Sequence, residues 1–176
     1  MKLRCDLTVN GESRRLLIVQ GPNELAEHLP LKLAAYLLFW KSEPVVDASP
    51  KLSALAQFDF MPDLLALDAA GDICLWVECG STTMNKLNKL TKRVPLGRGR
   101  IFVLKPDARD ARRLRDEVDA ELLKPERIEI LAFPGSSFKE WAAAVEEKTE
   151  VFGESDETSL NAVVNEKPFA VQLERI

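Results

Sequence analysis

The sequence has very few of the residues on which several kinds of active site depend. Its 176 residues include one histidine, His28, and three cysteines, Cys5, Cys74 and Cys79, at spacings that match no zinc motif. A histidine-rich metal centre is therefore excluded, and a serine–histidine or cysteine–histidine pair would have to use His28. Because His28 lies in a charged stretch with helical periodicity, we expect its side chain to be solvated or to cap a helix.

The chain also lacks a long apolar run. The longest candidate, Leu29 to Trp40, is interrupted by Pro30 and Lys32 and is shorter than the roughly 18–20 residues that span a bilayer. Charged residues stand near the N-terminus, where a signal peptide has its apolar core. Three cysteines are an odd number, which favours free thiols in a reducing compartment. These absences predict a cytoplasmic protein that makes no contact with a membrane.

What is present indicates an α/β fold. The hydrophobic content of 46% is that of a folded chain, and the length fits one domain over residues 1–176. Two apolar runs, Leu64–Leu67 and Ile73–Val77, flank a predicted turn at Ala70-Gly71. Because both faces of this strand pair are apolar, we expect the pair to lie in a sheet that is covered on both sides.

Periodicity and breaking residues predict the remaining elements. The first helix is expected from Glu24 to Trp40, with Asn23 as its N-cap and with Pro30 delaying its start or kinking it. The other expected elements are a hairpin with strands at 3–9 and 14–20 around Asn10-Gly11, a short helix at 51–57, helices at 81–94, 108–123 and 136–147, strands at 101–104 and 128–133, an acidic loop at 153–159, and a hairpin with strands at 160–164 and 169–173.

Two acids stand at the open end of the central predicted hairpin. If Ala70 and Gly71 are the two loop residues, Asp63 faces Glu78, and directly opposed residues have Cβ atoms ~4.5–5.5 Å apart. Two carboxylates at this distance repel each other unless a cation lies between them, and Mg²⁺ or Mn²⁺ prefers oxygen ligands. Two alternatives remain: the acids are simply solvated at the strand ends, or a one-residue slip in register separates them.

A basic segment follows the two acids. Between Cys79 and Pro106 there are seven basic residues and no acid, a local charge of +7 in a chain whose net charge is −4. A lysine on the predicted helix would stabilise charge on a scissile phosphate, and the whole segment would bind the phosphates of a nucleic acid. The alternative is an ordinary solvated helix face. The basic residues are Lys86, Lys89, Lys92, Arg93, Arg98, Arg100 and Lys105.

These residues carry a resemblance to a known family. Pro62-Asp63, fifteen residues before Glu78-Cys79-Gly80, resembles the PD-(D/E)xK signature of restriction-endonuclease-like nucleases, except that Gly80 stands in place of the lysine. The chain is similar to the YaeQ family of bacterial proteins, which shows the same departure. The similar segments are Gly21–His28, Leu31–Leu37, Leu75–Gly80 and Lys86–Lys89.

The resemblance implies a fold. It implies a mixed central β-sheet flanked by helices, with a restriction-endonuclease-like αβββαβ core at about residues 21–133. The hairpin at 2–20 and an extension at 134–176 would add further strands at the two termini.

The resemblance also implies roles for individual residues. Asp63 and Glu78 would ligate Mg²⁺ or Mn²⁺, with the Cys79 carbonyl as a third ligand. An acid from the first helix, Glu27 or alternatively Glu24, would complete the cluster. Lys89, or alternatively Lys86, would be the relocated lysine, and nucleic acid would be bound by Lys86, Lys89, Lys92, Arg93, Arg98 and Arg100.

Three functions follow as hypotheses. The first is a metal-dependent nuclease that hydrolyses phosphodiester bonds of DNA or RNA. The second is a catalytically inactive module of the same fold that binds nucleic acid or protein, favoured by the missing lysine after Glu78 and by the acidic net charge. The third is a cysteine-dependent activity at Cys79, because a thiol before a helix N-terminus can be acidified.

Overall fold

A computed structural model describes all 176 residues as two β-sheets and four α-helices. In chain order the elements are β1 (Lys2–Val9), β2 (Glu12–Val19), α1 (His28–Leu38), β3 (Val45–Val46), β4 (Leu64–Leu67), β5 (Ile73–Cys79), α2 (Met84–Arg93), β6 (Arg100–Lys105), α3 (Ala108–Glu121), β7 (Ile128–Ala132), α4 (Ser137–Ala144), β8 (Lys148–Ser155), β9 (Ser159–Val164), β10 (Lys167–Gln172) and β11 (Glu174–Arg175). No helix among them is both long and apolar enough to cross a membrane.

The two sheets confirm the α/β prediction. The central sheet has the strand order β11-β7-β6-β5-β4-β3, and the second sheet has the order β10-β9-β8-β1-β2. The succession α1-β3-β4-β5-α2-β6 has the αβββαβ order that the resemblance implied. The extra strands at both termini are present. However, apart from β11 they form the second sheet rather than extending the central one, because β1 pairs in parallel with β8.

Helix α1 lies between the two sheets. Its residues 29–38 are all buried and belong mostly to a hydrophobic core that includes side chains from both sheets. The helix begins at His28, not at Glu24, so Asn23 is not its N-cap. Pro30 stands in the first turn, where its missing amide costs no helical hydrogen bond, and this explains the delayed start. Glu27 takes the N-cap position and is exposed.

The register of β4 against β5 is as predicted near the two acids, but the turn is not. Leu64 pairs with Val77, which places Asp63 beside Glu78 one step further along. The expected two-residue loop is wrong, because the Asp68 side chain accepts hydrogen bonds from the amides of Ala70 and Asp72 and widens the turn. An irregularity between Ala66 and Leu67 then restores the register.

The ends of the other elements are determined by helix capping and by strand pairing. Asp107 caps α3 by accepting hydrogen bonds from two amides of the first turn, so α3 begins at the predicted residue 108. Helix α2 is capped by Thr83 and starts two or three residues later than predicted. The acidic loop expected at 153–159 is limited to residues 156–158, since β8 continues to Ser155 and pairs with both β1 and β9, and β9 begins at Ser159.

Gly153 in β8 supplies a test of this packing. A Cβ at position 153 would overlap backbone atoms of Asn161 and Ala162 in β9. Gly153→Ala is therefore expected to lower the free energy of unfolding by about 2–3 kcal/mol. Gly11→Ala is the control: its φ is +81° but its surroundings are open, so only the conformational cost of about 1 kcal/mol applies. Urea unfolding measures both variants, and equal losses would contradict the packing argument.

Candidate functional site

The predicted acids lie at one edge of the central sheet. Strands β5 and β6 are parallel, with Cys79 beside Leu104, so their carboxyl ends meet at this edge. Asp63 immediately precedes β4 and hydrogen-bonds through its amide to the Val77 carbonyl of β5. Ligands of open α/β sheets bind preferentially outside the carboxyl ends of the strands. The position therefore suits a functional site.

Asp63 is held by one amide and two cationic side chains. Its Oδ2 accepts a hydrogen bond of 2.7 Å from the Cys79 amide and lies 3.5 Å from His28 Nε2. Its Oδ1 lies 3.6 Å from Lys32 Nζ. Burial alone would raise the pKa of Asp63, but the His28, Cys79 and Lys32 contacts hold that pKa below its usual value. Asp63 is therefore ionised at neutral pH.

Lys32 is a member of this cluster that the sequence analysis did not identify. Its side chain is 4% exposed, and its Nζ lies 2.6 Å from Asp47, 2.7 Å from Glu24 and 3.6 Å from Asp63. Burial disfavours the charged ammonium, but the three carboxylates outweigh burial and raise the pKa of Lys32. The sequence does contain an indication of this role. Lys32 stands inside an otherwise apolar helical run, and a lysine that is buried with such a run needs acidic partners.

His28 also belongs to the cluster, and the expectation of a solvated or capping role is wrong. Its Nδ1 lies 2.6 Å from Glu24 Oε1, and its Nε2 lies 2.8 Å from the Cys79 carbonyl oxygen. Both ring nitrogens face oxygen atoms, the Nε2 contact as a hydrogen bond and the Nδ1 contact as an ion pair, so a protonated imidazole places its charge beside Glu24 and Asp63. Burial lowers the pKa of His28, but the contacts with Asp63 and Glu24 raise it above its ordinary value.

The raised pKa of His28 predicts how stability changes with pH. A histidine with a raised folded-state pKa stabilises the fold fully below its ordinary pKa of 6.5, and the stabilisation disappears as the pH rises through the folded-state value. We expect the free energy of unfolding to fall over that window in the wild type and to be flatter in His28→Gln. Because the chain has a single histidine, NMR of its imidazole protons reports the pKa directly. A value at or below 6.5 would contradict the geometry.

Glu78 has different partners from Asp63. It is 2% exposed, and its carboxylate accepts hydrogen bonds of 2.6 Å from Trp76 Nε1 and 2.7 Å from Lys86 Nζ. Burial raises the pKa of Glu78, and the ammonium of Lys86 only partly offsets this. Trp76 packs on the face of the central sheet that α2 covers, whereas Asp63 contacts α1, which packs on the other face.

The two acids are thus neighbours along the backbone, but their side chains diverge. Asp63 lies at a bend before β4 and does not follow the alternation of the strand. Among histidine, cysteine and acidic side chains, one group of three brings its ligand atoms within 4.8 Å of one another, and it consists of His28, Asp63 and Cys79. Glu78 is outside this group.

The other predicted site residues lie in several places. Lys86 contacts Glu78, whereas Lys89 contacts Asp59 and neither of the two acids. Glu27 is exposed and makes no ion pair, and Glu24 contacts the cluster instead.

The rest of the basic segment is divided along the sheet. Arg93 faces the same exposed acid as Lys89, and Lys92 is exposed. Arg98 and Arg100 lie at the opposite end of the central sheet, where Arg98 pairs with Asp72 and Arg100 pairs with Glu129 and Glu157. The segment therefore does not form one continuous basic surface.

Cys79 is unsuited to act as a nucleophile. Burial, together with the charges of Asp63 and Glu78, raises the pKa of its thiol well above the ordinary value. A reactive cysteine is an accessible thiolate, and Cys79 is 2% exposed. The hypothesis of a cysteine-dependent activity therefore fails.

A pocket borders the cluster. It has a volume of about 300 Å³ and is bounded by the residues preceding α1, by the loop after β5, by Pro106 and by Phe138. Glu24, His28 and Cys79 form its contact with the Asp63 cluster. The pocket gives solvent a route to these side chains.

The donor set around His28 suits a positive group. Two oxygen acceptors, Asp63 Oδ2 and the Cys79 carbonyl, converge on His28 Nε2. Carboxylate and carbonyl oxygens are the ligands of hard divalent cations, so the position that the ring nitrogen takes is chemically fit for such an ion.

Comparisons with known proteins agree on one family. The family model described as "YaeQ protein" matches residues 9–171. Similar solved structures include the YaeQ protein from Xanthomonas axonopodis pv. citri, at a TM-score of 0.75 and 16% identity, covering 99% of this chain and 96% of that one. The YaeQ protein from Pseudomonas syringae has a TM-score of 0.70 and 18% identity, covering 99% and 93% respectively. No curated protein matches the sequence.

Proposed function

The chain belongs to the YaeQ family, and from that premise we propose that it is a divalent-metal-dependent nuclease hydrolysing phosphodiester bonds of DNA or RNA. The observation that carries the proposal is the contact between Lys86 and Glu78. A lysine from α2 reaches the second acid and takes the place of the lysine that Gly80 replaces. We assign the activity to the cytoplasm, since all three cysteines are free thiols.

Each residue has a part in the proposed reaction. Asp63 and the Cys79 carbonyl would hold Mg²⁺ or Mn²⁺, with Glu78 on the opposite side of β5. The ion would polarise the phosphate and lower the pKa of a bound water. His28 Nε2 has to withdraw from the Cys79 carbonyl for this. The Lys86 ammonium, held by Glu78 and the Met61 carbonyl, would stabilise negative charge developing on the phosphate.

A cleavage assay tests the proposal. The purified protein is incubated with single-stranded DNA, duplex DNA and RNA in Mg²⁺, in Mn²⁺ and in EDTA, and we expect cleavage that requires the metal. Lys86→Gln should lower kcat by about 10²–10³-fold, the usual effect of removing one charge-stabilising donor. The exposed Lys124→Gln is the control and should match the wild type. Cleavage in EDTA, or equal activity of the two variants, would refute the assignment.

A second candidate function is a non-catalytic module that binds nucleic acid or protein. It is favoured by the contacts of the Asp63 carboxylate, whose two oxygens are already engaged by the Cys79 amide, His28 and Lys32 and therefore need no metal ion. Calorimetry with Mg²⁺ and Mn²⁺ separates the two candidates. Metal binding that is lost in Asp63→Asn supports the nuclease, whereas nucleic-acid binding without metal binding supports the module.

A further inference from the structure

The segment 57–61, which we call the covering segment, closes access to Glu78. The Phe58 and Phe60 rings pack on Trp76 with centroids 4.8 Å and 5.8 Å away. The Met61 carbonyl accepts a hydrogen bond of 3.1 Å from Lys86 Nζ. Glu78 is consequently 2% exposed. No substrate can contact Glu78 or the inner side of Lys86 while the segment stays in place.

On its outer side the covering segment is attached to α2 through the exposed carboxylate of Asp59 and the backbone of Gln57. Asp59 Oδ2 lies 2.9 Å from Lys89 Nζ, and Asp59 Oδ1 lies 3.8 Å from an Arg93 guanidinium nitrogen. Asp59 is 65% exposed, so this attachment is open to solvent and is weakened by salt. Arg93 adds a hydrogen bond of 2.7 Å to the Gln57 carbonyl.

The arrangement of Asp59 matches that of a bound phosphate. Its two oxygens each face one cationic side chain, and the two cations stand four residues apart on one helix face. Two non-bridging oxygens of a phosphodiester make the same kind of paired contact with lysine and arginine. Lys86, one turn earlier on this face, contacts Glu78. A phosphate held by Lys89 and Arg93 would therefore have Lys86 one turn away on the same helix, and Lys86 in turn contacts Glu78 of β5.

We propose that Lys89 and Arg93 form a subsite for a backbone phosphate of a nucleic acid, and that Asp59 occupies this subsite in the free protein. Binding of the polyanion displaces Asp59, releases the covering segment and exposes Glu78 and Lys86. The inference rests on the proposed function for the identity of the polyanion. It deepens that function by giving the site a closed state that the substrate itself opens.

Binding without metal tests the subsite independently of catalysis. The fluorescence anisotropy of a labelled single-stranded oligonucleotide is measured in EDTA at several salt concentrations. Asp59→Asn is expected to bind about 5-fold more tightly than the wild type, because the oligonucleotide no longer has to break one exposed ion pair. Lys89→Ala should bind more weakly and reduce the slope of log K against log salt by about 1.

The matched control is Asp68→Asn, which changes the net charge equally but lies in the turn between β4 and β5. It should bind like the wild type. Hydrogen exchange gives the second measurement: the amides of residues 58–61 should exchange faster in Asp59→Asn, and faster in the wild type when the oligonucleotide is added.

The outcomes separate this inference from the proposed function. Equal affinities of Asp59→Asn and Asp68→Asn, or no binding by any variant, would overturn the subsite. Metal-dependent cleavage by the wild type would survive either result. Conversely, tighter binding and faster exchange in Asp59→Asn, with no cleavage in any metal, would support the subsite and refute the nuclease.

Discussion

Asparagine in place of Asp63 is expected to lower metal-dependent cleavage by at least about 10³-fold, because the several kcal/mol that a bound metal contributes to the transition state correspond to such a factor. The substitution is nearly isosteric. Its amide oxygen can still accept the hydrogen bond from the Cys79 amide, which maintains the end of β5. What is lost is the negative charge that faces His28 and that would bind the proposed divalent ion.

The loss of cleavage has to be separated from a loss of folding. Circular dichroism and the urea midpoint establish whether Asp63→Asn remains folded, and calorimetry with Mn²⁺ shows whether it still binds the ion. Asp68→Asn, at the other end of β4, is the control for activity. A folded Asp63→Asn that cleaves at the wild-type rate would remove Asp63 from the proposed mechanism.

Methionine in place of Lys32 should have the largest effect on stability, a loss of about 3–5 kcal/mol in the free energy of unfolding. Methionine fills a similar volume, so the change is mainly one of charge. The substitution leaves Asp63, Glu24 and Asp47 facing one another without the ammonium that joins them. Urea unfolding at neutral pH measures the loss.

Two further variants test the cause of this loss. The exposed Lys41→Met should change stability by less than about 0.5 kcal/mol. The double variant Lys32→Met/Asp63→Asn should recover part of the loss, because it removes one of the carboxylates left uncompensated. A double variant whose loss equals the sum of the two single losses would argue against charge as the cause.

Local rules account for the parts of the fold that the sequence predicted. Asn10 and Gly11 both have positive φ and join β1 to β2, as the Asn-Gly pair indicates. Asp107 caps α3 through its own side chain. The register that brings Asp63 beside Glu78 was predicted from the wrong turn and holds because a later irregularity compensates.

The cluster around Asp63 was less predictable because its members are distant in sequence. Glu24, His28 and Lys32 form a helical series, but the fold decides that this series meets Asp63, since α1 has to lie against the central sheet. The resemblance offered Glu27, or alternatively Glu24, and a helix beginning at Glu24 would bury both on one stripe. The later start at His28 leaves Glu27 exposed.

Helical periodicity alone could not decide whether Lys86 or Lys89 is the relocated lysine. The two lysines are three residues apart and share a face, so the pattern along α2 favours neither. The partner is decided by residues 57–61, which bring the Met61 carbonyl to Lys86 and the Asp59 carboxylate to Lys89. These residues form no helix or strand, and their path is set by the packing of Phe58 and Phe60 on Trp76.

The pairing of β1 with β8 has a consequence for the order in which the chain assembles. The strands of the central sheet, apart from β11, lie between residues 45 and 132. Strand β1 pairs at once with β2, but its second neighbour, β8, begins only at Lys148. During synthesis the part of α1 that packs on α4 and β9 therefore stays uncovered until those two elements have been made. Contacts of such long sequence separation form slowly, and apolar surface that is exposed in the meantime favours aggregation.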